Sequence, residues 1–180
     1  MPAVSGTSGY SYEDWRWVFY PENLPKGKML DFYVQHFQAV EINSSYYAIP
    51  HPAVFYQLSQ KTPVDFEFIV KVHQTTTHER PKNDLAMSKL LEAIKPLQET
   101  GKFAGFLAQF PYSFKNSGES RDYLKSVQEK IESLPLFVEF RNWTWDRPET
   151  YQFLQENKIL YVNVDEPRLK GLLQPQEIVT

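Results

Sequence analysis

The apolar pattern of this chain changes period again and again, and that alternation limits the fold more than any other feature. Short runs rich in β-branched and aromatic residues fall at residues 3–7, 39–43, 66–73, 103–110, 136–141 and 159–165. Between them, apolar residues recur at helical spacing. Met29, Phe32, Tyr33 and Phe37 make one stripe; Val54, Phe55 and Leu58 make a second, opened by Pro52 at a first-turn position. Leu85, Leu90, Leu91, Ile94 and Leu97 make a third, with Asn83 or Asp84 as its cap and Gly101 as its stop. Tyr123, Leu124, Val127, Ile131 and Leu134 make a fourth, ended by Pro135, and Tyr151, Phe153 and Leu154 a fifth. Strand alternating with helix predicts a parallel sheet wound from right-handed βαβ units. The units recur about every 30 residues, the spacing of a (β/α)₈ barrel of about 250 residues. The expectation is one α/β domain over residues 1–180. It is TIM-barrel-like, with about six of eight units present and the barrel short at its C-terminus. An open, doubly wound sheet is the alternative. No Gly-x-Gly-x-x-Gly and no P-loop turn accompanies it.

The period-2 phase of each run says where polar groups go. Val40 and Ile42 oppose Glu41 and Asn43; Phe68, Val70 and Val72 oppose Lys71 and His73; Phe106 and Ala108 oppose Gln109. Val138 and Phe140 oppose Glu139 and Arg141, and Leu160, Val162 and Val164 oppose Asn163 and Asp165. One face is apolar throughout, as expected beneath helices. The other turns polar only toward the C-terminal ends, where (β/α) barrels and open α/β sheets alike place their sites. A Glu–Arg pair such as Glu139 and Arg141 is often a buried structural pair. Several strands carrying polar groups in one phase at one end point instead to a ligand site, because buried ion pairs seldom repay their desolvation.

With 42% hydrophobic and 23% charged residues the chain can build a packed core. A net charge of −3 argues against a broad nucleic-acid-binding face. The absence of cysteine removes disulfides, thiolate nucleophiles and Cys-based zinc sites. No signal-peptide pattern and no long apolar span is visible, so the expectation is a soluble cytoplasmic protein without a membrane partner.

The polar set suggests chemistry. Lys71 and Arg141, with His73 and His78 near the loop after the third strand, suit a small anionic ligand. Glu41 and Glu139 are candidate acid–base carboxylates, Asp165 is a third, and Asn43 and Gln109 would orient. Glu41, His73, Glu139 and Asp165 also offer donors for a divalent metal, but two cations in the same ring oppose it, and no cofactor is expected. Tyr10, Tyr12, Trp15, Trp17, Tyr46, Tyr47, Trp143 and Trp145 lie on the loops at this end. They either pack the rim, the favoured reading, or stack a ring of the ligand.

Five motifs in order, GTSGYSYEDW with FYP, VEINSSYYAIP, FIVKV with TTH, LAQFPYSF and VEFRNWTW, resemble the YecE-like family, also called domain of unknown function 72. The resemblance spans the chain and implies a TIM-barrel-like fold. It implies no reaction, and members usually continue further at the C-terminus. The reading that follows is an enzyme of hydrolase or lyase/isomerase type. It would carry out acid–base or hydrolytic chemistry on a small phosphorylated or carboxylated substrate. The alternatives are a non-catalytic ligand- or nucleic-acid-binding barrel, or a metal-dependent phosphodiester hydrolase. The oligomeric state is open.

Overall fold

The computed structural model describes residues 3–80, 83–132, 134–165, 167, 171–173 and 175. Its six strands are β1 (Gly6–Ser8), β2 (Ala39–Ile42), β3 (Glu67–Lys71), β4 (Phe103–Gln109), β5 (Leu136–Glu139) and β6 (Ile159–Tyr161). They form one parallel sheet in the order β1-β2-β3-β4-β5-β6. The helices are α1 (Met29–Tyr33), α2 (Ser44–Tyr47), α3 (Pro52–Gln60), α4 (Asp84–Glu99), α5 (Gly118–Lys130) and α6 (Pro148–Glu156). Each crossover adds the next strand on the same side. A doubly wound sheet reverses its strand order at a switch point, and none occurs among the described residues. The strand order is therefore that of a (β/α) barrel wall.

The helix-facing side of the sheet is the core. Val40, Phe68, Val70, Phe106, Ala108, Leu136 and Val138 pack with Phe55 of α3, Leu90, Ile94 and Leu97 of α4, Leu124 and Val127 of α5, and Leu154 of α6. The apolar spacing of the helices thus finds its partner in alternate strand positions. Pro52 opens α3 as expected, and Gly101 ends the α4 segment in the left-handed region with φ +69°. The first stripe is shorter than predicted, because the chain turns after Tyr33 before reaching Phe37. Asn83 precedes α4 with helical backbone angles, so its side chain makes no cap. It is turned instead to the Tyr123 hydroxyl and the Lys130 ammonium.

A bulge between β3 and β4 sets the phase of everything beyond it. Phe68 pairs with Phe103, but Ile69 pairs with Gly105, so Ala104 is the extra residue. Gly105 has φ +154°, and a Cβ there would lie 2.8 Å from the Pro135 carbonyl oxygen. The inserted residue turns Phe106 and Ala108 toward the helices and Leu107 and Gln109 to the opposite, inner side.

In β6 the structure departs from the sequence reading. Val138 pairs with Tyr161 and Phe137 with Leu160, which places Tyr161 on the helix side. Its ring meets Tyr151 of α6 at 5.3 Å. The strand ends there, and Val162 continues only through its amide bond to the Val138 carbonyl. The alternation that was to carry Asn163 and Asp165 to the face of Glu139 therefore stops short of them. Both are exposed beyond the strand end. The physical reason is that residues 159–162 are apolar on both phases, so hydrophobicity could not choose the face; the Tyr151 contact did.

Candidate functional site

On the inner face the strand ends hold two hydrogen-bonded polar groups side by side. In β1 and β2 the pairing of Ser8 with Glu41 brings the serine hydroxyl 3.1 Å from Glu41 Oε1. Asn43 Nδ2 donates to the same hydroxyl at 2.5 Å. Because the amide nitrogen only donates, the serine proton is directed to Glu41. In β3 and β4 the Lys71 ammonium donates to Gln109 Oε1 at 2.6 Å. Gln109 Nε2 donates onward to Glu139 Oε1 at 2.7 Å. Glu139 is also ion-paired with Arg141 Nη2 at 2.5 Å. The charge on Glu139 thereby fixes the Gln109 amide with its oxygen toward Lys71.

The two carboxylates sit in different surroundings. Glu139 is only 9% exposed and takes two charge-assisted donors on one oxygen. Glu41 has neutral donors and no ion pair within 4.0 Å among the described residues. Desolvation pushes its carboxyl above the usual range, and the nearby Glu139 charge adds to this. The Ser8 hydrogen bond, the Lys71 charge and Asn43 pull the other way.

The loop after β3 adds a corner to this row. Residues Thr75–Glu79 form a single π-helical turn, closed by an Arg80 amide bond to the Thr75 carbonyl. It carries His78, whose Nδ1 lies 3.2 Å from the Tyr46 hydroxyl and 2.9 Å from that of Thr77. The Lys71 ammonium lies over the Tyr46 ring, 5.4 Å from its centre. Contact with its neighbours desolvates the otherwise exposed imidazole and lowers its pKa; Lys71 and Arg80 lower it further. The turn is braced from behind, since the Tyr123 hydroxyl donates to the Thr76 carbonyl at 2.6 Å.

The structure therefore gathers Glu41, Asn43, Lys71, His78, Gln109, Glu139 and Arg141. His73 is turned to its own loop, where Nδ1 meets the hydroxyl and amide of Thr75. Asn163 and Asp165 lie beyond the end of β6, and both are exposed. Ser8 is a residue that the sequence pattern did not single out. Its signal was the β1–β2 pairing, which needs a register that a three-residue strand does not reveal. The backbone N–H groups of Thr7 and Gly9 donate to the Tyr33 hydroxyl and the Glu41 carbonyl. The aromatics divide: Trp145 is buried and Trp15 packs on Tyr12, Phe19 and Tyr20. Trp17, Tyr47 and Trp143 are 75%, 74% and 51% exposed, with Tyr47 set edge-on to Tyr46 at 4.9 Å. Among the described residues no three His, Asp or Glu side chains group as a metal site would require. No helix among them is long and apolar enough to cross a membrane.

Comparison with known proteins places this geometry. A family model described as "Protein of unknown function DUF72" matches residues 4–180. The UPF0759 protein YunF of Bacillus subtilis is 30% identical over 174 residues, covering 91% of this chain and 61% of that protein. The UPF0759 protein YecE of Escherichia coli K12 is 32% identical over 88 residues, covering 47% of this chain and 31% of its own length. The crystal structure of a DUF72 family protein from Thermotoga maritima superimposes with a TM-score of 0.88 at 41% identity, covering 98% of this chain and 70% of that one. One from Enterococcus faecalis gives 0.82 at 27% identity, covering 94% and 63%. The chain thus spans about three fifths of the Bacillus relative's length.

Proposed function

The chain belongs to the DUF72 family, whose description names no reaction, and from the site alone we propose acid–base or hydrolytic chemistry on a small anionic substrate, phosphorylated or carboxylated. The observation that carries this reading is the polar row from Ser8 to Arg141 at the C-terminal ends of five adjacent strands. Lys71 holds the anion. It spends one donor on Gln109 and lies over an aromatic face, which leaves ammonium protons for a ligand. Arg141 is committed to Glu139, so it acts on the anion through its field and its hold on the row. Glu139 and Gln109 position Lys71. Glu41, held only by neutral donors, is the group suited to take and return a proton.

The test is thermal unfolding with inorganic phosphate as the probe. A ligand that binds only the folded state raises Tm with concentration. The wild-type Tm rises with phosphate, and Lys71→Met, which folds with similar stability, loses that rise. An equal rise in both proteins contradicts the reading.

A further inference from the structure

Three groups of different chemistry share Lys71 as a neighbour. Glu41 lies within its electrostatic reach, on β2. His78 does also, on the π-turn. Tyr46 lies beneath the ammonium and hydrogen-bonds the imidazole, so His78 is fixed relative to Lys71. The imidazole faces two hydroxyls with the same nitrogen. When the nearer Thr77 hydroxyl donates to the one lone pair of Nδ1, the proton of the neutral ring resides on Nε2.

We propose that this corner removes a proton from the carbon next to a carbonyl group, in a small carbonyl compound that bears a phosphate or carboxylate. The inference rests on the anion-site reading above and gives it a reaction. Glu41 is the base, neutral His78 the hydrogen-bond donor to the carbonyl oxygen, and Lys71 the anchor of the anionic group. Glu41 takes the α-proton, the C–H electron pair becomes the C=C bond, and the carbonyl π pair moves onto oxygen. The enolate oxygen accepts the His78 Nε2–H hydrogen bond within the field of Lys71. Return of a proton from Glu41 to carbon completes the exchange, so no oxidant, reductant or cofactor is needed. A carboxylate and an imidazole that both face Lys71 are a set suited to enolisation, since a neutral donor polarises the carbonyl without surrendering a proton. Burial, then Lys71 and Arg80, disfavour imidazolium at His78. At Glu41 burial raises the basicity, with Glu139 adding to it and Ser8, Lys71 and Asn43 opposing it.

The experiment is proton–deuterium exchange in D2O followed by ¹H NMR, with the purified chain and two probes, dihydroxyacetone phosphate and pyruvate. The expected result is loss of the α-proton signal faster than in buffer, for whichever probe carries the anion Lys71 accepts. Glu41→Gln lowers the rate about 100-fold, the usual size of a general-base contribution. His78→Gln lowers it by a similar factor while the phosphate-dependent Tm rise is kept. Asp122→Asn, at an exposed position of α5, leaves it unchanged. Exchange no faster than buffer with both probes overturns the proposal, as does exchange that survives Glu41→Gln. If the phosphate response persists without exchange, the anion site stands and enolisation alone falls; if Lys71→Met leaves that response intact, the anion reading itself fails.

Discussion

Glu41 and Glu139 are both inner-face glutamates, yet their replacement by glutamine should have opposite consequences for stability. Glu139 Oε1 receives Gln109 and Arg141 together. Hydrogen bonds to a charged partner contribute about 1.5–3 kcal/mol each. The Arg141 side chain is 33% exposed, so solvent screens part of its contribution. The replacement also leaves a half-buried guanidinium without its counter-charge. The net cost of Glu139→Gln at pH 7 is about 2 kcal/mol. Glu41 has a folded-state pKa raised from 4.5, chiefly by burial. A raised carboxyl pKa means that the folded state holds its proton more tightly than the unfolded chain. The resulting stabilisation is present at low pH and is lost as pH rises through the folded value. At pH 7 wild-type Glu41 is therefore a burden on stability, offset only in part by the Ser8 hydrogen bond. Glu41→Gln should be neutral or up to about 1 kcal/mol stabilising at pH 7, with that gain disappearing below pH 4. Urea unfolding of the three proteins at pH 7 and pH 3.5 measures this directly. The variants should be separated at pH 7 by about 2–3 kcal/mol, or about 4–12 °C in Tm for a domain of this size. A Glu41→Gln loss at pH 7 equal to that of Glu139→Gln would refute the reasoning, because Glu41 would then be a structural group and not one held in readiness at a cost.

Three other outcomes test the frame around the site. Lys102 is 6% exposed and donates to the Ser59 and Thr62 carbonyls at 2.6 and 2.7 Å, at the end of α3. Lys102→Met should cost about 3 kcal/mol in urea unfolding, since two buried carbonyls lose their donor; a loss under about 0.5 kcal/mol would show that they find another. Gly105→Ala should lower Tm by several degrees and alter the β4 side chains, because its Cβ has no room beside Pro135 and Phe137. An unchanged Tm would remove the bulge as the device that sets the Gln109 phase. Ser117 accepts the Ser120 amide at the start of α5, so Ser117→Ala should cost about 1 kcal/mol, read from the denaturation midpoint.

The wall of the barrel was legible because each buried strand position faces a helix, which leaves an alternation that sequence alone displays. Val40, Val70, Ala108 and Val138 fell on the expected side, and Glu41, Lys71, Gln109 and Glu139 on the other. The phase of Gln109 was read correctly even though the bulge at Ala104 was not foreseen, since the bulge precedes the segment whose alternation was counted. The sixth strand failed for want of contrast: Ile159, Leu160, Tyr161 and Val162 are all apolar, and only the Tyr151 contact and the register against Val138 decide which face each takes. Ser8 was missed for a different reason. A three-residue strand has no period to read, and its site role exists only through pairing with a residue 33 positions away. The surroundings of His78 were not legible. Its lowered pKa comes from burial and then from Lys71 and Arg80, which the π-turn brings around it with Tyr46.

The central claim is that Glu41, Lys71 and Glu139, from β2, β3 and β5, share one pocket. The most direct measurement is the titration of the Glu41 side-chain carboxyl by ¹³C NMR in wild type, Lys71→Met and Glu139→Gln. Loss of the Lys71 charge should move the Glu41 midpoint up, and loss of the Glu139 charge should move it down. A midpoint unmoved by both substitutions would mean that these side chains do not meet.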